Sequence, residues 1–372
     1  MDPYQAEALP IPDLDYSRLI GLVGEANAAL ARYDGLLQAM VNPRIMLSPM
    51  TSQEAVLSSK IEGTQATVEE VMEHEAGKEY SESKTQDIKE IINYRRALIL
   101  ATEEVIDRPI RLALIRELHR VLLDSVRGQD KTPGEFRKDQ NWIGRPGCVI
   151  EEATFVPPNP MQLPGDLDAW ETYLGIDDFD VLAQTAIVHA QFELLHPFKD
   201  GNGRIGRLLI PLFLYSKGRL SSPMFYLSAY LEKNRDEYYD RLRAISQERD
   251  WTSWIAFFLQ AVADQAKENN QRLVHIMKLY EEMKERIRDA THSQYCAQVV
   301  DALFAQPIFR TKDFCKRSGI TKPTAHKILR VLEEVNVIQI LRQASGSRPA
   351  RYAFPELLNI VEGKEVFREK SD

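Results

Sequence analysis

Apolar positions recur every three or four residues through most of this 372-residue chain, a spacing that predicts a mainly α protein. The pattern runs over residues 17–38, where Asn42-Pro43 ends it, and over 51–74, where Glu62-Gly63-Thr64 interrupts it. It continues over 84–104 and 111–123, with Pro109 placed where a first helical turn tolerates it. Further helices are predicted over 167–174, 181–195, the stretch that follows Gly203, and 235–266, and a long connecting helix over 271–288. The first 15 residues, rich in Pro and acid, predict an extended arm. There is no internal repeat and no low-complexity tract.

Two regions depart from the helical period. Residues 128–160 hold Gly128, Gly134, Gly144, Gly147 and five prolines, and Trp142-Ile143 and Cys148-Val149-Ile150 flank Gly144-Arg145-Pro146-Gly147. That pattern predicts a short β-hairpin with an irregular entrance. Residues 291–360 predict helices at 294–304, 311–317 and 323–334, with Gly319-Ile320-Thr321 as the turn between the last two. Strands at 337–341 and 351–354 would then pair across a loop containing Gly346-Ser347-Arg348, the order of a winged helix-turn-helix. The implied division is 1–110, 111–265, a connector 266–290, and 291–372.

Composition, 44% hydrophobic and 27% charged, is that of a globular protein, but the net charge of −8 is unevenly spread. Residues 306–354 carry ten Lys or Arg against three Asp or Glu, while residues 1–305 carry 34 against 47. An acidic body joined to a basic module points to two tasks, or to one task with a separate docking surface. Cys148, Cys296 and Cys315 fit neither a zinc pattern nor a disulfide framework and are expected as buried free thiols in a reducing compartment. No signal peptide is visible, and the most apolar segments fall well short of a membrane span, so a cytoplasmic protein without membrane contact is expected.

The strongest chemical signal is His196-Pro197-Phe198-Lys199-Asp200-Gly201-Asn202-Gly203-Arg204-Ile205-Gly206-Arg207. Its nine fixed positions have a chance probability on the order of 10⁻¹¹ per site at ordinary residue usage. His196, at the end of an apolar helix stopped by Pro197, has an ordinary pKa suited to accept a proton near neutrality. Asp200 suits a Mg²⁺ that also binds phosphate oxygens. Gly201 and Gly203 let backbone amides close around an oxyanion at a helix N-terminus, and Arg204 and Arg207, one turn apart, can reach one polyphosphate. Ser58 and Glu62, four apart, share a helix face; by itself that spacing also fits an exposed Glu near a helix end. Tyr230 and Asn234 could likewise present an aromatic ring and an amide to a base, or simply pack.

The 196–207 segment resembles the signature of the Fic family at every fixed position, and the stretch 40–265 looks like that family. The resemblance implies a Fic-type helical bundle with a β-hairpin flap, and transfer of AMP from ATP to a Ser, Thr or Tyr hydroxyl of a protein substrate. It implies His196 as general base, Asp200 as Mg²⁺ ligand, and Asn202 with the loop amides on the transferring phosphate. Arg204 and Arg207 would hold the β- and γ-phosphates, and Phe198 would anchor the loop in the core. The segment 141–156 corresponds to the flap, which would align the target backbone by strand addition. Doc-type relatives, which act as kinases, carry Lys where this chain has Gly203, so adenylyl rather than phosphoryl transfer is favoured. Ser58 to Gly63 resembles the inhibitory helix of some Fic proteins, with Glu62 paired to Arg207, where it would misorient ATP; removal of AMP with the help of Glu62 also stays open.

Residues 227–239 resemble the segment that supplies adenine contacts, which points to Tyr230 and Asn234. The basic module 306–354 is compatible with DNA, with protein docking, or with a homodimer. Two other readings remain open: a nucleotide-sensing transcriptional regulator, and transfer from a different nucleotide donor.

Overall fold

The computed structural model describes residues 2–106, 108–126, 130–145, 147–345 and 349–365. Among them the chain is mainly helical, with one small antiparallel sheet. In chain order it begins with α1 (Tyr16–Ala39), the one-turn α2 (Pro43–Met46) and α3 (Ser48–Ile61). Next come α4 (Val68–Glu75), α5 (Glu82–Glu104), α6 (Leu112–Leu122), α7 (Leu163–Gly175), α8 (Val181–Leu195) and α9 (Asn202–Ser216). They are followed by α10 (Ser228–Lys233), α11 (Arg235–Glu248), α12 (Trp251–Thr291) and α13 (Cys296–Ala305). The last stretch reads β1 (Ile308–Arg310), α14 (Thr311–Ser318), α15 (Lys322–Glu334), β2 (Gln339–Arg342), β3 (Arg351–Ala353) and α16 (Pro355–Glu362).

The residues group into two compact units. One gathers Met1–Gly35, Leu57–Thr64 and Ile92–Lys267; the other gathers Leu36–Val56, Gln65–Ile91 and Glu268–Asp372. In the first, α8 is the central helix. It is buried on nearly every side, as befits a helix with neighbours all round, and α7, α9 and α11 pack against it. Two indoles fasten to its carbonyls: Trp170 Nε1 donates to Val188 O (3.0 Å) and Trp254 Nε1 to Ala186 O (2.8 Å). Asp180 caps its start by accepting the amides of Leu182 and Ala183. The N-terminal arm is extended as predicted, yet it is pinned, with Tyr4, Ile11 and Leu14 buried and the Tyr4 amide donating to Val156 O (2.8 Å).

In the second unit the strands lie in the order β1-β3-β2, with Phe309 opposite Tyr352 and their rings stacked at 5.7 Å. Helix α4 packs on β1, and a capping box between Thr67 and Glu70 fixes where α4 starts. The Ser48 hydroxyl donates to Ala305 O (3.0 Å), and Gln53 Nε2 donates to Val361 O (2.8 Å).

Several sequence expectations need correction. Among its described residues the segment 141–156 is not a two-stranded hairpin: they hold one antiparallel bridge, Ile143 to Phe155, and a 3₁₀ turn at Ile150–Glu152. Its backbone finds partners locally instead, Cys148 N–H on Arg145 O and the Trp142 indole on Cys148 O, so 148–150 has no strand to pair with. Pro146 and Gly128 lie outside the described residues, as do Gly346-Ser347-Arg348 of the expected wing loop.

The helix expected over 235–266 is broken at Arg249, which is left-handed (φ 58°), while Asp250 accepts the Ser253 amide to start α12. Residues 271–288 are accordingly the later part of α12, with no separate connector. Pro109 precedes α6 rather than opening it. The three cysteines are free but half-buried. Strand β1 and helix α16 were not anticipated, being short and flanked by other elements. No helix among the described residues is long and apolar enough to cross a membrane.

Candidate active site

Helix α8 ends at His196, which adopts the left-handed conformation (φ 45°, ψ 58°) because Pro197 disfavours a further helical residue before it. The chain then turns through Phe198–Asp200 and re-enters a helix at Gly201, whose positive φ (78°) suits a residue without a side chain. Asn202 holds this turn closed. Its Oδ1 accepts the Phe198 amide (2.8 Å) and its Nδ2 donates to Phe198 O (2.9 Å). One of the two Nδ2 hydrogens is left for the expected contact with phosphate. An anion also meets the first turn of α9, where the amides of Asn202 and Gly203 have no intrahelical acceptor.

His196 Nδ1 faces Glu193 O at 3.3 Å, and a carbonyl can only accept, so the proton of the neutral ring sits on Nδ1. Nε2 is left as the basic atom, and His196 lines a cleft of 880 Å³. Burial lowers the imidazole to about 4, partly offset by the Glu193 carbonyl and the Glu62 charge, so the ring is unprotonated at neutral pH.

Arg207 is buried and also lines the cleft. Its Nε donates to Ser58 Oγ (3.0 Å), and its Nη2 donates to Ser58 O (2.9 Å) and Glu62 Oε1 (2.7 Å). Ser58 lies on α3, and Glu62 sits one residue beyond its end, in a turn completed by Gly63 (φ 98°). About a third of the Glu62 side chain stays exposed (35%). Burial alone would raise the Glu62 carboxyl, yet Arg207, with Arg204 and His196 behind it, holds it below its ordinary value. The same carboxylate outweighs desolvation at Arg207 and raises the guanidinium further. A Cβ at Gly203 would stand 2.2 Å from Glu62 Oε1, so the loop and this carboxylate meet only because residue 203 is glycine.

The remaining expected site residues divide. Arg204 is buried and does not line the cleft, with Nη2 3.3 Å from Asp200 Oδ1. Tyr230 and Asn234 do not line the cleft. Tyr230 lies in a separate hollow beside Phe257 and Gln260, and Asn234 Nδ2 donates to Tyr230 O (2.9 Å). Tyr238 and Tyr239, four and five residues beyond Asn234, line the cleft instead. Asp200 Oδ1 accepts the Gly201 amide (2.5 Å), and 40% of the side chain is exposed. No cluster of three or more His, Cys, Asp or Glu able to hold a metal occurs among the described residues. A magnesium ion shared with a polyphosphate needs only one or two carboxylates, and the exposed Asp200 fits that demand.

Over residues 20–103 the chain matches the family described as Fic/DOC family N-terminal, and over 109–214 the Fic/DOC family. The chain belongs to the Fic family. It is 27% identical over 205 residues to a probable protein adenylyltransferase of Aquifex aeolicus, covering 53% of this chain and 55% of that protein. It is 31% identical over 155 residues to the protein adenylyltransferase Fic of Aedes aegypti, covering 40% of this chain and 27% of that protein. The chain thus spans about half or less of the length of these curated relatives. A Fic family protein from Desulfovibrio desulfuricans shares the fold with a TM-score of 0.59 at 22% identity, over 94% of this chain and 98% of that one. A Fic domain containing signaling protein from Bacteroides thetaiotaomicron does so with a TM-score of 0.53 at 17% identity, over 66% and 96%.

Around the Fic loop the structure adds residues that motif reading missed. His119, from α6, stacks on Phe198 (3.7 Å, 8°), and its Nδ1 accepts the Gly134 amide (2.8 Å). Its Nε2 then donates to Asp200 O (2.9 Å), and burial lowers the ring to about 4. Glu193, on α8, faces the cleft and presses its carboxyl onto Gly206, where a Cβ would stand 2.3 Å away. The high apolar moment of α6 marked its inner face, but nothing in the sequence links His119 to a loop 80 residues on.

Proposed function

We propose that this Fic protein is a protein adenylyltransferase that moves AMP from ATP to a Ser, Thr or Tyr hydroxyl of a protein, and that Glu62 restrains it. In this reading a catalytic core at 111–265 follows an N-terminal region carrying Ser58 and Glu62. His196 Nε2 takes the proton of the acceptor hydroxyl, whose oxygen attacks the α-phosphorus while pyrophosphate leaves. The first amides of α9 hold the phosphates, and Arg207, once released from Glu62, reaches their far end. Mg²⁺ on Asp200 would neutralise phosphate charge. Gly203 keeps open the space that a lysine there would fill, which supports ATP as an adenylyl donor over phosphoryl transfer.

The observation that carries the reading is the placement of a bare imidazole nitrogen and a carboxylate-capped Arg207 in one cleft. A carboxylate on that arginine competes with a terminal phosphate for the same donors and repels it, so bound ATP lies wrongly for in-line attack. The test is automodification with α-labelled ATP. Glu62→Gly should raise it by tenfold or more, on the order of what misplacement of a reacting group costs, and a further His196→Ala change should abolish it. An unchanged rate in Glu62→Gly would remove the restraint, and label surviving in His196→Ala would remove the base.

The arrangement of α13, α14 and α15 beside the antiparallel β1-β3-β2 sheet supports a winged helix-turn-helix at 291–372, outside the Fic matches. Lys322, His326, Lys327 and Arg330 lie exposed on α15, opposite its buried Ala325, Ile328, Leu329 and Leu332. That basic face favours a polyanion such as DNA as a second partner.

A further inference from the structure

Arg137 touches the base without lining the cleft. Only 3% of it is exposed, and it lies in the loop between α6 and the flap segment. A buried cation ordinarily faces a carboxylate. Asp166 acts on Arg137 through its charge, but the guanidinium bonds carbonyl oxygens: Nε donates to His196 O (3.0 Å), and Nη2 to Pro158 O (2.6 Å) and Leu195 O (3.3 Å). Its backbone amide donates to Pro197 O (2.8 Å). One residue therefore grips three consecutive carbonyls, 195 to 197, two of them at the negative end of α8 where helix geometry leaves acceptors unfilled. His196 is left-handed, a conformation that is strained for a residue with a side chain and persists only where its surroundings over-determine it. Pro197 excludes the right-handed alternative on one side. Arg137 fastens the peptide on both sides.

We propose that Arg137 is the positioning residue of the general base, locking the 195–197 backbone so that His196 Nε2 meets the acceptor hydroxyl and tying the exit of the flap segment, at Pro158, to the same point. The inference rests on the adenylyl-transfer reading given above. Its charge also acts on the ring. Around His196, Glu62 and Asp200 favour the imidazolium, as does the Glu193 carbonyl, whereas Arg137 disfavours it. Burial lowers the guanidinium itself to about 10, so the charge persists at neutral pH.

The experiment uses the full chain carrying Glu62→Gly, with steady-state transfer from α-labelled ATP measured across pH and folding checked by thermal unfolding. Arg137→Gln should lower kcat about tenfold or more with KM for ATP held within about twofold. It should also move the acid limb of kcat to higher pH, because the cation that opposed protonation is gone. Arg137→Lys keeps the charge but not the planar fork: the limb should stay in place and kcat should lie between the other two. A folded Arg137→Gln chain with unchanged kcat, or with an unmoved limb, overturns the proposal. If that chain does not fold, Arg137→Lys decides: parental kcat refutes the need for the fork, and reduced kcat with a fixed limb supports it. His196→Ala in the same background separates the two levels, since surviving transfer there overturns the function itself whatever Arg137 does.

Discussion

Glu62 and Glu193 both act on Arg207, yet their environments push them apart. Glu62 bonds the guanidinium and is held ionised. Glu193, with Oε1 unpartnered and wedged against Gly206, is pushed by burial up to about 8, so it keeps its proton at neutral pH. A carboxyl whose folded value exceeds its unfolded one stabilises the fold fully below the unfolded value and loses that contribution as pH rises through the folded one. Between about pH 4.5 and 8 the parent should therefore lose thermal stability that Glu193→Gln does not; parallel melting curves would refute this. The lowered His196 yields a second expectation. Transfer by the Glu62→Gly chain should stay level from pH 8 down to 6, since protonation of the base begins only nearer 4 and loss of Glu62 lowers it further. An acid limb centred on the ordinary histidine value of about 6.5 would show the ring to be solvated. The motif residues were legible one by one. Their ionisation was not, because it depends on burial and on partners from α3 and α8.

At the scale of elements, the Fic loop is held from outside itself. Phe198 is fully buried between the rings of His119 and Phe136, and His119 bonds both Gly134 and Asp200. His119→Ala removes a packed ring and strands a buried donor and acceptor, so it should cost about 2–4 kcal/mol in denaturant unfolding. A cost below about 1 kcal/mol would mean the loop stands by itself. The opposite sign is expected at Arg249. Its left-handed backbone ends α11, and its ion pair with Glu7, at 3.8 Å, is on an exposed side chain and worth little. Arg249→Gly should raise stability by about 0.5–1 kcal/mol, and a loss would show that the side chain matters after all. Helix α8 was readable to the residue, because Asp180 caps it and His196-Pro197 stops it. The break at 249–250 was not, because apolar spacing continues through it and only the local capping by Asp250 decides. The flap failed for a related reason: alternating residues supply candidates for a strand, but pairing needs a partner, and Phe155 alone provides one.

For the whole molecule, the charge asymmetry between 1–305 and 306–354 is the property that composition makes plain. If the basic face of α15 meets phosphates, the chain should retard duplex DNA at low salt, with steep loss as salt rises, and Lys327→Glu with Arg330→Glu should weaken it. No retardation even at low salt would assign that face to protein docking. By itself, the sequence determined the helical class and the Fic loop, because helical period, capping residues and a twelve-residue motif are local and each residue's neighbours in the chain suffice to define them. Tertiary structure alone decided which groups stand around the base. Arg137 bonds its backbone and Tyr238 and Glu62 line its cleft from separate elements, while Tyr230 lies in another hollow, because packing rather than spacing chooses which face of each helix meets the cleft.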